Sequence, residues 1–438
     1  RNESSAASDV YKRQHLSLLI MENNTFNVAV LGAGNIGSAV ITRLIDLDKG
    51  IVGLNVKKVL VKDKSKKRPI SADILVDKFE DILNDDSIDL VIEVLGGIDP
   101  GKEYIGALLK KGKAVITANK DIIADAGVDL IQTAKENNAC LYFEAAVAAG
   151  IPVLKPLIES LRGEELSKVL GIINGTSNYM LTAMEEGSSY DDALSTAQEL
   201  GYAEPDPTND VEGLDAKYKA VILSLLCFGV SPSSDELFTD GISGITKEDF
   251  EWAARLGKTI KLVAQIDNKD GFNARVHPVL IDMKHPLAAI RGALNAVVVE
   301  GENINQLVFS GPGAGSEPTA SAIIGDVLSA CHQLSSNQTN WYPLREFKGE
   351  MKSFEDVESS MFIRLSVNDE PGVLAKISGT FGENNVSIES VIQEGRGDKA
   401  ELVLVTHEAP EKDIKNSIDQ ISALDSVTTV TSTLRVYV

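Results

Sequence analysis

The chain has 438 residues, which suits roughly two or three domains. It carries 42 basic and 64 acidic residues, a formal charge of −22, and 43% of its residues are hydrophobic. That composition excludes a disordered chain and disfavours a nucleic-acid or anionic-membrane surface; the longest apolar run, Val221 to Val230, falls short of the about 20 residues a bilayer span needs.

Residues 1–20 are polar at first and patternless, and Ser4–Gln14 (SSAASDVYKRQ) resembles the translation of a sequencing-library adapter. They are expected to be a non-native extension and stand outside the fold argument. From Met21 to about Ala148, short β-type runs (Asn27–Leu31, Val56–Val61, Leu90–Leu95, Ala114–Thr117, Leu141–Phe143) alternate with helical stretches. That alternation predicts βαβ units and a parallel sheet, a Rossmann-type α/β domain over residues 21–148. Residues 149–318 read as an α+β domain. Its predicted helices are Pro152–Leu161, Ser177–Glu185, Tyr190–Leu200, Asp215–Leu226 and Lys247–Ala264; its strands are Phe272–Leu280, Ala296–Glu300 and Gln306–Ser310. The glycine-rich Gly311–Gly315 opens a helix, residues 319–335, that returns to the first domain. Residues 336–360, with Trp341-Tyr342, read as a linker. Residues 361–438 show a βαββαβ order, the ferredoxin-like pattern.

Cys140, Cys227 and Cys331 are too widely and irregularly spaced for a disulfide framework or a zinc site, which favours a reducing, cytoplasmic setting. His277 and His285 precede prolines and read as turn residues.

Gly32-Ala33-Gly34-Asn35-Ile36-Gly37 is a G-x-G-x-x-G directly after a strand and opening a helix. The first glycine permits the turn, the second lets backbone approach a pyrophosphate, and the third lets helix pack on strand. The free N–H groups of the helix start suit the phosphates of NAD or NADP. Asp63, after the second strand, is placed to bond a ribose 2′-hydroxyl, as NAD requires. Lys62, Lys64, Lys66, Lys67 and Arg68 are placed to neutralise a 2′-phosphate instead, or form a solvated loop; the balance leans to NADP while allowing both.

Lys120 ends Thr117-Ala118-Asn119-Lys120 after an apolar strand, at the sheet edge where such folds bind ligands; the alternative is a surface lysine with a buried stem. Tyr202, Glu204, Asp206 and Asp210 lie in a loop restrained by Pro205 and Pro207, and Asp215 and Lys219 share one helix face. A plain surface ion pair has the same spacing. The helix continues, however, as the nearly apolar Ala220–Phe228, where charge without a purpose is costly.

The stretch Ala197, Gly201-Tyr202-Ala203, Asp206-Pro207, Asp210-Val211, Gly213, Asp215 and Lys219 resembles the homoserine dehydrogenase signature without a mismatch. The likeness extends through the glycine loop, Thr117–Lys120, Asn174–Tyr179 and Gly311–Gly315. It implies reversible NAD(P)-dependent reduction of L-aspartate 4-semialdehyde to L-homoserine, with Lys219 as acid/base and Lys120 at the carbonyl oxygen. That fits the chemistry, because hydride arriving at an aldehyde leaves charge and a proton demand on oxygen, and two neighbouring lysines lower each other's pKa. By the same resemblance Glu204, Asp210 and Asp215 hold the substrate ammonium, and Tyr202, Asn174 and Thr176 line its pocket. Gly315 lies near the cofactor or serves close packing. The resemblance also implies that Glu144, with the carbonyls of Val147, Ala149 and Ile151, binds a monovalent cation, Na+ or K+. A homodimer or homotetramer is implied, with residues 149–318 serving dimerisation as well as catalysis. No reactive cysteine–base pair of the thioester-forming kind is visible.

Asp369-Glu370-Pro371-Gly372-Val373-Leu374 and Asn385-Val386-Ser387-Ile388 resemble an ACT domain, whose implied effector here is L-threonine; a ligand-free dimerisation module is the alternative. Two other readings keep the same architecture. One is a nucleotide- and amino-acid-sensing protein without catalysis; the other is a dehydrogenase of another small amino-acid aldehyde.

Overall fold

In a computed structural model the described residues are 25–47, 53–68, 70–336, 344–395 and 400–437; the expected N-terminal extension and the Trp341-Tyr342 pair lie outside them. Two compact units emerge. One runs to Arg162 and includes Pro312–Arg345; the other joins Gly163–Gly311 with Glu346–Val438.

The first unit is built on short runs of Val, Ile, Leu and Ala buried on both faces, the pattern of a parallel sheet covered by helices. β1 (Thr25–Leu31), β2 (Gly53–Leu60), β3 (Leu75–Val76), β4 (Leu90–Glu93), β5 (Ala114–Thr117) and β6 (Leu141–Tyr142) form a sheet in the order β3-β2-β1-β4-β5-β6. Each adjacent pair is parallel. The order in which strands are added reverses between β1 and β4, so their carboxyl ends flank the crevice where such sheets bind ligands. The Ser316–Ser336 helix inserts Ala320, Ile323, Val327 and Cys331 against Val40, Ile41 and Leu44 of the Asn35–Leu47 helix. Cys140 belongs to the same core. The predicted helix at Pro152–Leu161 shortens to a single wide turn, Pro156–Ser160.

In the second unit β7 (Leu166–Ile172), β8 (Phe238–Thr239), β9 (Lys258–Asp267), β10 (Asn273–Asp282), β11 (Leu294–Gly301) and β12 (Asn305–Pro312) precede the terminal module. That module contributes β13 (Glu358–Val367), β14 (Ile388–Gly395), β15 (Ala400–Thr406), β16 (Ala409–Pro410) and β17 (Val427–Val436). Among the described residues the strands run β12-β11-β7-β9-β10-β17-β13-β15-β14, with β8 on β10 and β16 on β13. The βαββαβ order is present, with helices Val373–Glu383 and Glu411–Ser422. Its sheet is continuous with the preceding one, because β17 pairs β13 antiparallel and β10 parallel.

Three further readings change. The predicted helix Lys247–Ala264 stops at Arg255, and Gly257, at φ +70°, turns the chain into β9. A left-handed glycine just past the last helical turn is a strong stop signal. His277 is not in a turn but buried in β10, whereas His285 does cap a turn, accepting the Leu287 N–H at 3.2 Å. The stretch read as a linker already carries the start of β13 and a bridge from Met351 to Phe272.

Candidate active site

The glycine loop ends β1. Gly32 sits at φ +106°, and its N–H donates to the Leu60 carbonyl at 3.0 Å. A Cβ there would stand 2.8 Å from the Val94 carbonyl oxygen, and one on Gly37 would run into the Gly32 carbonyl. A Cβ on Gly34 would meet nothing within 4 Å. The loop is therefore closed beneath Gly32 and Gly37 and open over Gly34, where exposed Asn35 starts the Asn35–Leu47 helix; Ala33 and Ile36 pack against the core. An open backbone face above a helix N-terminus fits the pyrophosphate of a dinucleotide.

After β2, the Asp63 carboxylate accepts the Ser65 N–H (2.8 Å) and hydroxyl (2.6 Å), which hold its pKa below the ordinary range. Lys64 pairs with Asp77 at 3.2 Å, and Arg68 donates to the carbonyls of Asp63 and Lys66. Gly315, at φ +110°, leads into the Ser316–Ser336 helix. Lys120 opens the Lys120–Glu136 helix, which Asn119 caps by accepting the Ile122 N–H at 3.2 Å; its ammonium lies 3.7 Å from Asp121.

The Glu144 carboxylate accepts three main-chain N–H groups, those of Val153, Leu154 and Lys155, at 2.7–2.8 Å. Burial still raises its pKa. Oε1 accepts two of these bonds and Oε2 one, so the side chain is held largely by the backbone. Val147, Ala149 and Ile151 are buried in a loop that passes through positive φ at Ala148 and Ala149. Among the described residues no group of three or more His, Cys, Asp or Glu side chains is arranged to hold a metal.

In the second unit, Gly213 (φ +76°) starts the Leu214–Phe228 helix; a Cβ there would press on Val276, Thr239 and the Asp240 carbonyl at 3.2–3.4 Å. Asp215 in the first turn reaches Lys219 one turn later at 2.6 Å, and the Lys219 ammonium also donates to the Ile173 carbonyl at 2.7 Å. Asn174 caps the Gly175–Glu185 helix through its side-chain oxygen. Its amide nitrogen donates to Asp210 at 2.6 Å and Asp215 at 2.9 Å. Burial raises the Asp210 pKa, the Asn174 bond opposes this, and the nearby Asp215 charge adds to it. Thr176 donates to the Tyr202 carbonyl at 2.7 Å, and the Tyr202 ring lies 5.1 Å from Tyr179.

Asn174, Thr176, Tyr202, Asp210, Asp215 and Lys219 are thus drawn together. Glu204 is exposed, and among the described residues no side-chain hydrogen bond joins its carboxylate to the cluster. Two carboxylates around one ammonium leave an acidic excess suited to a cationic group, beside a lysine able to exchange a proton. Glu93, absent from the expected set, is a fully buried carboxylate at the end of β4. The available signal was a charge inside the apolar run Leu90–Leu95.

Family models described as "Homoserine dehydrogenase", "Homoserine dehydrogenase, NAD binding domain" and "ACT domain" match residues 152–328, 32–144 and 361–426. The homoserine dehydrogenase of Bacillus subtilis is 40% identical over 423 residues, 93% of this chain and 98% of that protein. The crystal structure of a homoserine dehydrogenase from Thiobacillus denitrificans superposes with a TM-score of 0.87 at 34% identity, covering 94% of this chain and 98% of that one. A hyperthermophilic archaeal homoserine dehydrogenase in complex with NADPH gives a TM-score of 0.60 at 27% identity, over 71% of this chain and 98% of that one. With the glycine cradle and the acidic cluster both built, the chain belongs to the homoserine dehydrogenase family, NAD(P)-dependent oxidoreductases acting on a CH–OH group.

Proposed function

We propose that Lys219 is the acid/base of the reaction and that Lys120 supplies the second positive charge at the reacting oxygen. The observation that carries this is the Lys219 ammonium, mostly buried and bonded to Asp215 and the Ile173 carbonyl, within an otherwise anionic cluster. In the oxidative direction Lys219 takes the homoserine hydroxyl proton, and in reduction it returns one to the same oxygen. Asp210 and Asp215, oriented by Asn174, hold the substrate ammonium, with Glu204 as a third carboxylate from the loop; Thr176 and Tyr202 shape the pocket. Gly32, Ala33, Gly34, Asn35, Ile36, Gly37 and Gly315 bound the dinucleotide site. When bound, the nicotinamide dinucleotide supplies the hydride carrier. We assign NADP as the preferred form: the Asp63 carboxylate is bonded to Ser65, and the basic loop Lys62–Arg68 favours a 2′-phosphate. The NADPH-bound archaeal relative supports the class of cofactor.

Glu144 and the carbonyls of Val147, Ala149 and Ile151 are the proposed holders of a monovalent cation, Na+ or K+, since a hard ion favours oxygen ligands. The ACT module is assigned L-threonine as effector, in a homodimeric or homotetrameric protein of the cytoplasm. The thiols of Cys140, Cys227 and Cys331 are buried, which fits the reducing setting, and no helix of the described residues is long and apolar enough to cross a membrane.

The test is spectrophotometric, with homoserine and each oxidised dinucleotide. Lys219→Ala is expected to lose turnover while retaining dinucleotide binding, and analogues lacking the amino group are expected to react poorly. Retained turnover in that variant would refute the assignment.

A further inference from the structure

Glu93 terminates β4 at the carboxyl edge of the first unit's sheet, and its side chain is wholly buried. Burying a carboxylate without partners is costly, and this one is engaged on both oxygens. One accepts the Leu95 N–H at 2.7 Å; the other accepts the Thr117 hydroxyl at 2.5 Å. Thr117 in turn accepts the Asn119 N–H at 3.0 Å, and the Asn119 amide donates to the Gly97 carbonyl at 2.6 Å. The bonds close a ring through Glu93, Leu95, Gly97, Asn119 and Thr117. It joins the loop after β4 to the turn after β5, one residue before Lys120.

Space around the ring is one-sided. A Cβ on Gly101 would stand 2.8 Å from Ile122 Cδ1 and 3.3 Å from the Glu93 carboxylate, so the protein closes on that side. At Gly96 and Gly97, both at positive φ, an added Cβ would meet nothing within 4 Å. The next residue, Val94, carries the carbonyl against which Gly32 is packed. One buried carboxylate thus anchors two neighbouring crevice loops and abuts a third.

We propose that Glu93 is a positioning residue for the dehydrogenase reaction: its two accepted hydrogen bonds hold the Leu95–Gly97 loop and the Thr117–Asn119 turn in the geometry that aims Lys120. The proposal rests on the reading of Lys120 given above. The chemistry explains the choice of side chain. A carboxylate accepts at both oxygens, which matches two donors. Glutamine presents one acceptor and one donor, so either the Leu95 N–H or the Thr117 hydroxyl loses its acceptor.

The experiment uses the full chain and measures kcat, KM for homoserine, dinucleotide affinity by fluorescence and thermal unfolding. The variants are Glu93→Gln, Thr117→Val, Thr117→Ser and Lys120→Met. Glu93→Gln and Thr117→Val are expected to lose on the order of 10- to 100-fold in kcat, the scale of a misplaced catalytic group. Assayed well below their unfolding temperatures, they should keep dinucleotide affinity within about threefold, because the phosphate cradle is untouched. Thr117→Ser, which restores the hydroxyl without the methyl, should recover most of the rate. A kcat near that of the parent in Glu93→Gln or Thr117→Val would overturn the proposal, as would a Thr117→Ser no better than Thr117→Val. Should Glu93→Gln fail to fold, the Thr117 pair still decides. Lys120→Met separates the two claims. If it is inactive while Glu93→Gln is not, the positioning role fails alone; if it is fully active, the reading of Lys120 fails and the proposal with it.

Discussion

Asp326 lies buried within the Ser316–Ser336 helix and accepts the Glu144 N–H at 2.9 Å. Burial drives its pKa well above the ordinary carboxylate range, and the Glu144 N–H only partly offsets this. A carboxyl raised in the native state binds its proton more tightly folded than unfolded. Its cost is therefore absent below the unfolded value of about 4 and fully present once the pH passes the native pKa. Asp326→Asn keeps an acceptor for Glu144 and removes the ionisation. Its melting temperature is expected to fall less than the parent's as the pH rises through that window, which parallel thermal scans would check; matching slopes would refute it. The sequence presents Asp326 as one polar residue in an ordinary helix. Its burial depends on the helix docking against a segment far away in the chain.

At the level of elements, Gly34 of the phosphate cradle and Gly213 at the start of the substrate helix are needed for opposite reasons. Gly213 is needed because φ is positive and neighbours crowd it. Gly34 is needed because the space above it must stay open. Gly34→Val should therefore change stability by no more than about 0.5 kcal/mol, as an exposed substitution does. It should weaken dinucleotide binding on the order of tenfold or more, the loss of about one charge-assisted hydrogen bond. Dinucleotide titration alongside thermal unfolding checks this, and unchanged affinity would remove the loop from the site. The G-x-G-x-x-G spacing, the Asp215–Lys219 pair and the helix Val373–Glu383 were all legible, because each follows from local backbone rules. β7 was not, since Leu166–Ile172 lacks clear alternation and becomes a strand by pairing with β9 and β11.

Within the second unit, one buried guanidinium adds to the β10–β17 pairing that joins the terminal module to the substrate module. Arg364 on β13 contacts Asp249 at 3.1 Å, the Thr246 hydroxyl at 2.9 Å and Glu401 at 3.0 Å. Glu401 also accepts the Trp252 indole N–H at 3.0 Å. Arg364 and Asp249 are almost or wholly buried, so Arg364→Leu strands a buried charge and should cost about 3–5 kcal/mol in denaturant unfolding of the full chain. A cost below about 1 kcal/mol, the value of an exposed pair, would contradict that. The proposed effector is tested by titration. Threonine in the millimolar range is expected to inhibit homoserine oxidation, and its failure to do so would remove the feedback role. Gly372, exposed and left-handed, starts the Val373–Glu383 helix, the helix N-terminus proposed to meet the threonine carboxylate.

Residue order was enough to read off the nucleotide-binding α/β architecture, the βαββαβ end and the family. These rest on short-range rules: strand period, glycine spacing, prolines that restrain a loop, and carboxylates a helical turn from a lysine. Tertiary structure alone decided what lies between distant residues. It committed the Glu144 carboxylate to three backbone N–H groups, left Glu204 outside the Asp210–Asp215–Lys219 cluster, buried His277 in a strand, and fused two sheets through β10 and β17. Long-range hydrogen bonds and burial follow from which surfaces meet, and that depends on packing across the whole chain rather than on local residue order.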